Sequence, residues 1–232
     1  MGVPDLRPYL RHCIVIYCTL SAVCGAAPAD DALRYSYIEQ TGKRELSHSW
    51  TIRQIGSEIE THWISPHKAY LNLCDETGDT VRWRVRYPNG VVTAERVGNT
   101  IRIKDTRNRD SVQREVRIDK APWFQPLSYA LGRFSRSHRD SVVFWTIRPD
   151  NLKVVKLRAT NLGKEEARTQ TGLVPARKVS ITLDGFLSHF WEAHYWFRQS
   201  DGLFLRYEGV NGLPGTPRTT IELAEAPPGI VR

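Results

Sequence analysis

The sequence predicts a mainly β protein: a large curved antiparallel sheet, or half-barrel, wrapped around one short central helix. Three observations predict it. From Leu33 onward, alternating apolar and polar runs are cut by turn signals every ~8 to 12 residues, the signature of an all-β chain. One segment alone, Pro126 to Ser137, has helical spacing. That segment lies mid-chain, between strand-like runs, and a sheet covers a single helix most economically by curling its concave face around it. The other arrangement of the same parts is a β-sandwich with the helix at its periphery.

Taken in order, the chain begins with Arg7 and Arg11, an uncharged run from Cys13 to Val23, and small residues ending Ala27-Pro28-Ala29. Residues 1–29 therefore read as a signal peptide, and residues 30–232 as a single β-rich domain with a Pro/Gly-rich C-terminal tail. The expected location is the periplasm, with anchoring as a lipoprotein through Cys24 the alternative. Of four cysteines, only Cys74 follows the leader, so the domain has no internal disulfide, and Cys74 beside Leu71 and Leu73 reads as a buried small hydrophobe.

Past the leader, Asp75-Glu76-Thr77-Gly78-Asp79 separates "AYLNL" from "TVRWRVRY", and Asn89-Gly90 reads as a type I′ hairpin turn into "VVTAERV". Gly98-Asn99, the run 107–110 and Pro149-Asp150-Asn151 continue the series, so successive strands lie side by side and antiparallel. In "VRWRVRY", alternation sends Arg82, Arg84 and Arg86 to one face and Val81, Trp83, Val85 and Tyr87 to the other. The helix "PLSYALGRFSRS" presents Leu127, Ala130, Leu131 and Phe134 on one side. Farther on, Ser200-Asp201-Gly202 joins two late strands, and "GVNGLPGTP" precedes a last short strand near Thr219 to Leu223.

The formal charge is +8, and +7 once Asp5, Arg7 and Arg11 are set aside. In an exported protein such a balance points to anionic membrane or lipopolysaccharide surfaces and away from nucleic acid.

The second half, "LSYALGRF", "SVVFWTI", "LKVVKLRA", "GKEEARTQTGLVPARKVSITL" and "YWFRQSDGLFLRYEG", resembles in order and pattern a family of exported bacterial proteins known only as a domain of unknown function. The resemblance covers roughly residues 120–210. It implies a curved half-barrel similar to that of the periplasmic lipoprotein carriers and their outer-membrane receptors. An aromatic concave face in such a fold accommodates an acyl chain, although the carriers' additional lid helices have no counterpart in this sequence.

Catalytic patterns are scarce. His189-x-x-Glu192-x-His194 has the wrong parity for a strand to bring all three side chains together, leaving at most a Glu192–His194 pair, which would serve an enzyme acting on an envelope glycan or lipid. There is no Gly-x-Ser-x-Gly, no phosphate-binding Gly-rich loop and no metal-ligand spacing. The expectation is a non-catalytic protein with no cofactor and no metal that binds or transports a lipid or other hydrophobic small molecule. The candidate ligand contacts are Trp83, Val85, Tyr87, Phe134, Trp145, Tyr195 and Phe197. The alternative is an envelope interaction module docking through Arg82, Arg84 and Arg86, with the aromatic face as solid core.

Overall fold

The computed structural model describes residues 32–185, 191–210 and 217–225. The expected leader, His189, part of "GVNGLPGTP" and the chain after Glu225 lie outside the described residues. Eight strands come first: β1 (Leu33–Thr41), β2 (Arg44–Ile55), β3 (Glu58–Ser65), β4 (Lys68–Asp75), β5 (Thr80–Tyr87), β6 (Gly90–Val97), β7 (Thr100–Asp105) and β8 (Val112–Arg117). The helix α1 (Leu127–Arg136) follows. Six further strands follow among the described residues: β9 (Ser141–Ile147), β10 (Val154–Thr169), β11 (Gly172–Leu183), β12 (Glu192–Arg198), β13 (Phe204–Val210) and β14 (Arg218–Glu225).

All fourteen belong to one antiparallel sheet in the order β8-β7-β6-β5-β4-β3-β2-β1-β14-β13-β12-β11-β10-β9, so the half-barrel forms and the two-sheet sandwich does not. Every neighbour except the β1–β14 pair is also a sequence neighbour, as tight hairpins require. The sheet does not close into a barrel, because β8 and β9 are both edges.

Alternation along β9 shows how far the sheet rolls. Phe144 packs into the larger apolar cluster, with α1 and the inner faces of β1, β2 and β10–β14, while Ile147 joins a second cluster with Trp83, Val85, Val92, Ala94, Ile101 and Ile103 of β5–β7. Residues of opposite parity point to opposite faces. The β9 edge of the sheet is therefore covered on both sides, and the inner face of β5–β7 lies against the outer face of β9.

The segment before the helix fastens this overlap. Thr80 N–H donates to the Trp123 carbonyl at 2.7 Å, Phe124 N–H to the Trp145 carbonyl at 2.9 Å, and Trp145 N–H to the Pro122 carbonyl at 2.8 Å. Gln125 is buried and accepts from Thr146 Oγ1 at 2.9 Å and from Ile147 N–H at 3.0 Å. Asp79 accepts from Trp123 N–H at 2.8 Å and from Arg96 through both oxygens, at 3.0 and 3.1 Å.

The helix follows the sequence reading within a residue at each end, with Pro126 as N-cap and Ser137 as C-cap. Ala130, Leu131 and Phe134 are buried. It closes one end of the roll by close backbone approach: a Cβ on Gly132 would lie 2.4 Å from the Gly202 carbonyl oxygen in the β12–β13 turn. That turn spans Gln199 to Gly202, where Ser200-Asp201-Gly202 predicted it.

Two local expectations are corrected. The β5–β6 turn is Pro88-Asn89, with Gly90 the first residue of β6 opposite Tyr87. Proline's fixed negative φ rules out the type I′ form, and Gly90 is required for another reason: at φ +153° a Cβ there would lie 2.5 Å from the Thr106 carbonyl oxygen. Val81 is exposed rather than on the dry face, because the register shifts between Leu73 and Cys74 and seats Thr80 opposite Cys74.

Candidate functional site

The inner face of β1–β4 and β12–β14 carries a continuous set of rings. Centroid separations run from His48 to Trp63 (5.1 Å), Trp63 to Tyr37 (5.2 Å), Tyr37 to Phe204 (5.2 Å), Phe204 to Tyr195 (5.8 Å) and Tyr195 to Tyr207 (4.9 Å). Register explains the assembly: Tyr35 pairs with Trp50, Trp50 with Trp63, Trp63 with Tyr70, and Tyr195 with Tyr207, so each strand delivers one ring to the same row. Offset and edge-on ring pairs of this kind stabilise beyond their buried area.

The set is dense beside the helix and open away from it. Leu131, Phe144, Phe197 and Leu205 are fully buried, so no water-sized void touches them, and the helix does not roof an empty chamber. Farther from the helix, Trp63, Tyr195 and Ile221 are half-buried, as is Tyr70, which pairs with Trp63 and packs against the second cluster.

Within this open part sits one polar group of residues. Nε2 of buried His48 lies 2.9 Å from Oε2 of Glu39, whose side chain is 27% exposed, with the pair off the in-line geometry of a hydrogen bond. Burial, with the Glu39 carboxylate adding to it, pushes the Tyr207 hydroxyl up to about 12, and burial, followed by Tyr87 and then Glu39, raises Tyr70 further. Glu39 therefore lies within electrostatic reach of both hydroxyls. An apolar face with a carboxylate among its rings suits a hydrophobic molecule that carries a cationic or hydroxyl group.

The seven predicted contacts fall into two groups. Phe134, Tyr195 and Phe197 belong to the larger cluster, where Phe134 and Phe197 are buried and Tyr195 is half-buried. Trp83, Val85, Tyr87 and Trp145 belong to the second cluster, where Trp83 and Val85 are buried. Tyr87 donates to the Pro149 carbonyl at 3.0 Å, with Lys68 and Arg107 over its ring at 5.2 and 4.7 Å. Trp145 lies on the outer side of β9, its Nε1 donating to Asp119 at 2.9 Å. The structure thus separates the two groups. It adds Glu39, His48, Trp63 and Tyr70, none of which is among those seven.

Glu192 and His194 do share a face, with Nε2 3.3 Å from Oε1, but it is the face opposite Tyr195 and Phe197. Cys74 is buried on β4, its Sγ donating to the Ile59 carbonyl at 3.5 Å. Burial pushes its thiol up to about 12, which leaves it unreactive at neutral pH. Among the described residues no three metal-ligating side chains converge.

Fold and inner face together define an open, rolled β half-barrel plugged at one end by a helix. No protein-family model and no curated protein matches the chain by sequence. Among solved structures it is similar to a β-barrel-like protein of the domain of unknown function DUF1849 from Brucella abortus. The TM-score is 0.60 at 7% identity, over 84% of this chain and 96% of that one, which establishes a shared fold. The hypothetical lipoprotein YmcC from Escherichia coli aligns at TM-score 0.40 and 10% identity, over 82% and 84% of the two chains. A LolA-superfamily protein from Nitrosomonas europaea aligns at TM-score 0.21 and 8% identity, over 85% and 86%.

Proposed function

We propose that this is a non-catalytic binding protein of the bacterial envelope that holds a lipophilic molecule against the open part of its inner face. The observation that carries the reading is the half-buried row Trp63, Tyr70 and Tyr195 around the Glu39 carboxylate. Apolar rings left accessible in a concave surface are the ordinary lining of a hydrophobic site. The predicted leader supports export to the periplasm, in keeping with the description of YmcC as a lipoprotein. The ligand enters from the end remote from α1, lies along the rings, and sets its polar group at Glu39. Of the seven candidates read from the sequence, Tyr195 touches it directly, and Phe197 and Phe134 support the floor from below.

The test is uptake of a fluorescent acyl-amine probe by the purified, delipidated protein. Binding that weakens at least about tenfold in Trp63→Ala and in Glu39→Gln, with an acyl-carboxylate probe bound less well throughout, supports the reading. A protein that takes up neither probe, or whose affinity is indifferent to both substitutions, defeats it.

A further inference from the structure

The two outer faces of the sheet treat their cations differently. On β13–β14, Arg206 is paired with Glu208 and Glu222, and Arg218 with Glu208, so charge is neutralised within the sheet. On β5–β8, alternation and register bring Arg82, Arg84, Arg86, Arg102, Lys104 and Arg117 to one outward face with only Glu95 and Glu115 among them. All six cations are exposed strand residues. Among the described residues only Arg102 has an ion-pair partner, Glu115 at 2.8 Å.

Arg84 is followed across the strands by Thr93, Lys104 and Gln113, a row with two cations and no acid. Exposed Val81 and Val97 lie at the ends of β5 and β6 beside these charges. A cleft of about 550 Å³ opens on this part of the sheet, with Arg82, Arg102 and Lys104 in its walls together with Glu95 and Glu115.

We infer that the outer face of β5–β8 docks on an anionic lipid surface, its unpaired arginines and lysine taking phosphate headgroups while Val81 and Val97 meet the interface. Surfaces that serve solubility alone intersperse both signs, as β13–β14 does. A face of like charge with flanking aliphatics is instead drawn to anionic headgroups and held there by many weak contacts. Planar guanidinium groups suit phosphate because they offer parallel N–H donors. This docking is independent of what the inner face holds.

Flotation with vesicles tests it, using the purified protein and phosphatidylglycerol mixed into phosphatidylcholine against phosphatidylcholine alone. Binding is expected only to the anionic vesicles and is expected to fall with added salt. The variant R84Q/R86Q/K104Q, altered only at exposed positions, is expected to bind on the order of 100-fold more weakly while keeping its near-ultraviolet circular dichroism and its acyl-probe uptake. Equal binding to neutral vesicles, or undiminished binding by the triple variant, overturns the proposal. Capture by poly-glutamate beads without vesicle binding also overturns it and assigns the face to an acidic polypeptide.

Discussion

Tyrosine is the residue whose chemistry this fold alters most. Burial raises the pKa of each tyrosine among the described residues, Tyr35, Tyr37, Tyr70, Tyr87, Tyr129, Tyr195 and Tyr207. A folded pKa above the unfolded value of about 10 means that the folded chain keeps protons the unfolded chain releases. Stability is therefore unaffected by these groups below about pH 10 and declines as pH rises beyond it. The expected outcome is a urea midpoint that falls steadily above that pH, with tyrosinate absorbance appearing together with loss of tryptophan fluorescence. Ionisation of most tyrosines at the ordinary value in a still-folded protein would contradict it. The rings themselves were visible in the sequence, since Tyr195 and Phe197 alternate with Trp196 and Arg198. Glu39 and His48 were not, because their proximity depends on register between β1 and β2, where Tyr37 lies opposite His48, and no local pattern encodes it.

At the scale of elements, the β10–β11 hairpin is longer than its neighbours need. β10 runs sixteen residues and β11 twelve, against seven for β12. The excess, beyond the register shift between Asn161 and Gly163, carries Ala167 and Ala176 into the core near Trp196, whose Nε1 donates to Glu165. The hairpin end then reaches β14, where Gln170 N–H donates to the Leu223 carbonyl at 3.1 Å. Two substitutions on β11 separate packing from solvent exposure. Ala176→Asp puts a carboxylate at a fully buried site and is expected to cost about 3 kcal/mol or more. Leu173→Asp, at a site 61% exposed, is expected to stay within about 0.5 kcal/mol of the parent. Urea denaturation of both checks this; similar losses would mean that the hairpin end is not packed as described. Most elements were legible because turn residues and period-two alternation are local signals, and "SVVFWTI" even carries the mark of a strand buried on both sides. The excess of β10–β11 was not legible, since its alanines are core residues only through contacts remote in sequence.

For the whole molecule, the decisive feature is that an open sheet is held rolled. Hydrogen bonds between neighbouring strands fix the order of the sheet but not its curl, so the overlap of β5–β7 on β9 depends on the second apolar cluster and on the segment 122–126. Gln125 is the member of that segment that touches β9 through its side chain, with three bonds to Thr146 and Ile147, one of them from Nε2 to the Ile147 carbonyl at 3.3 Å. Its backbone N–H meanwhile donates to Thr80 Oγ1 at 2.9 Å, tying the same residue to the start of β5. Gln125→Ala leaves the strand pairings intact but removes a partner from three buried polar groups on two residues, at a cost of about 2–4 kcal/mol. If the roll is fastened there, the loss is uneven. Hydrogen exchange in the variant is expected to accelerate first in β5–β8, which meet the remainder through the overlap and the β4–β5 hairpin, while β11–β14 stay protected by pairing on both sides and by α1. Uniform acceleration along the chain would show that curl and pairing are lost together, and that the overlap is a consequence of the sheet's twist rather than of its fastening.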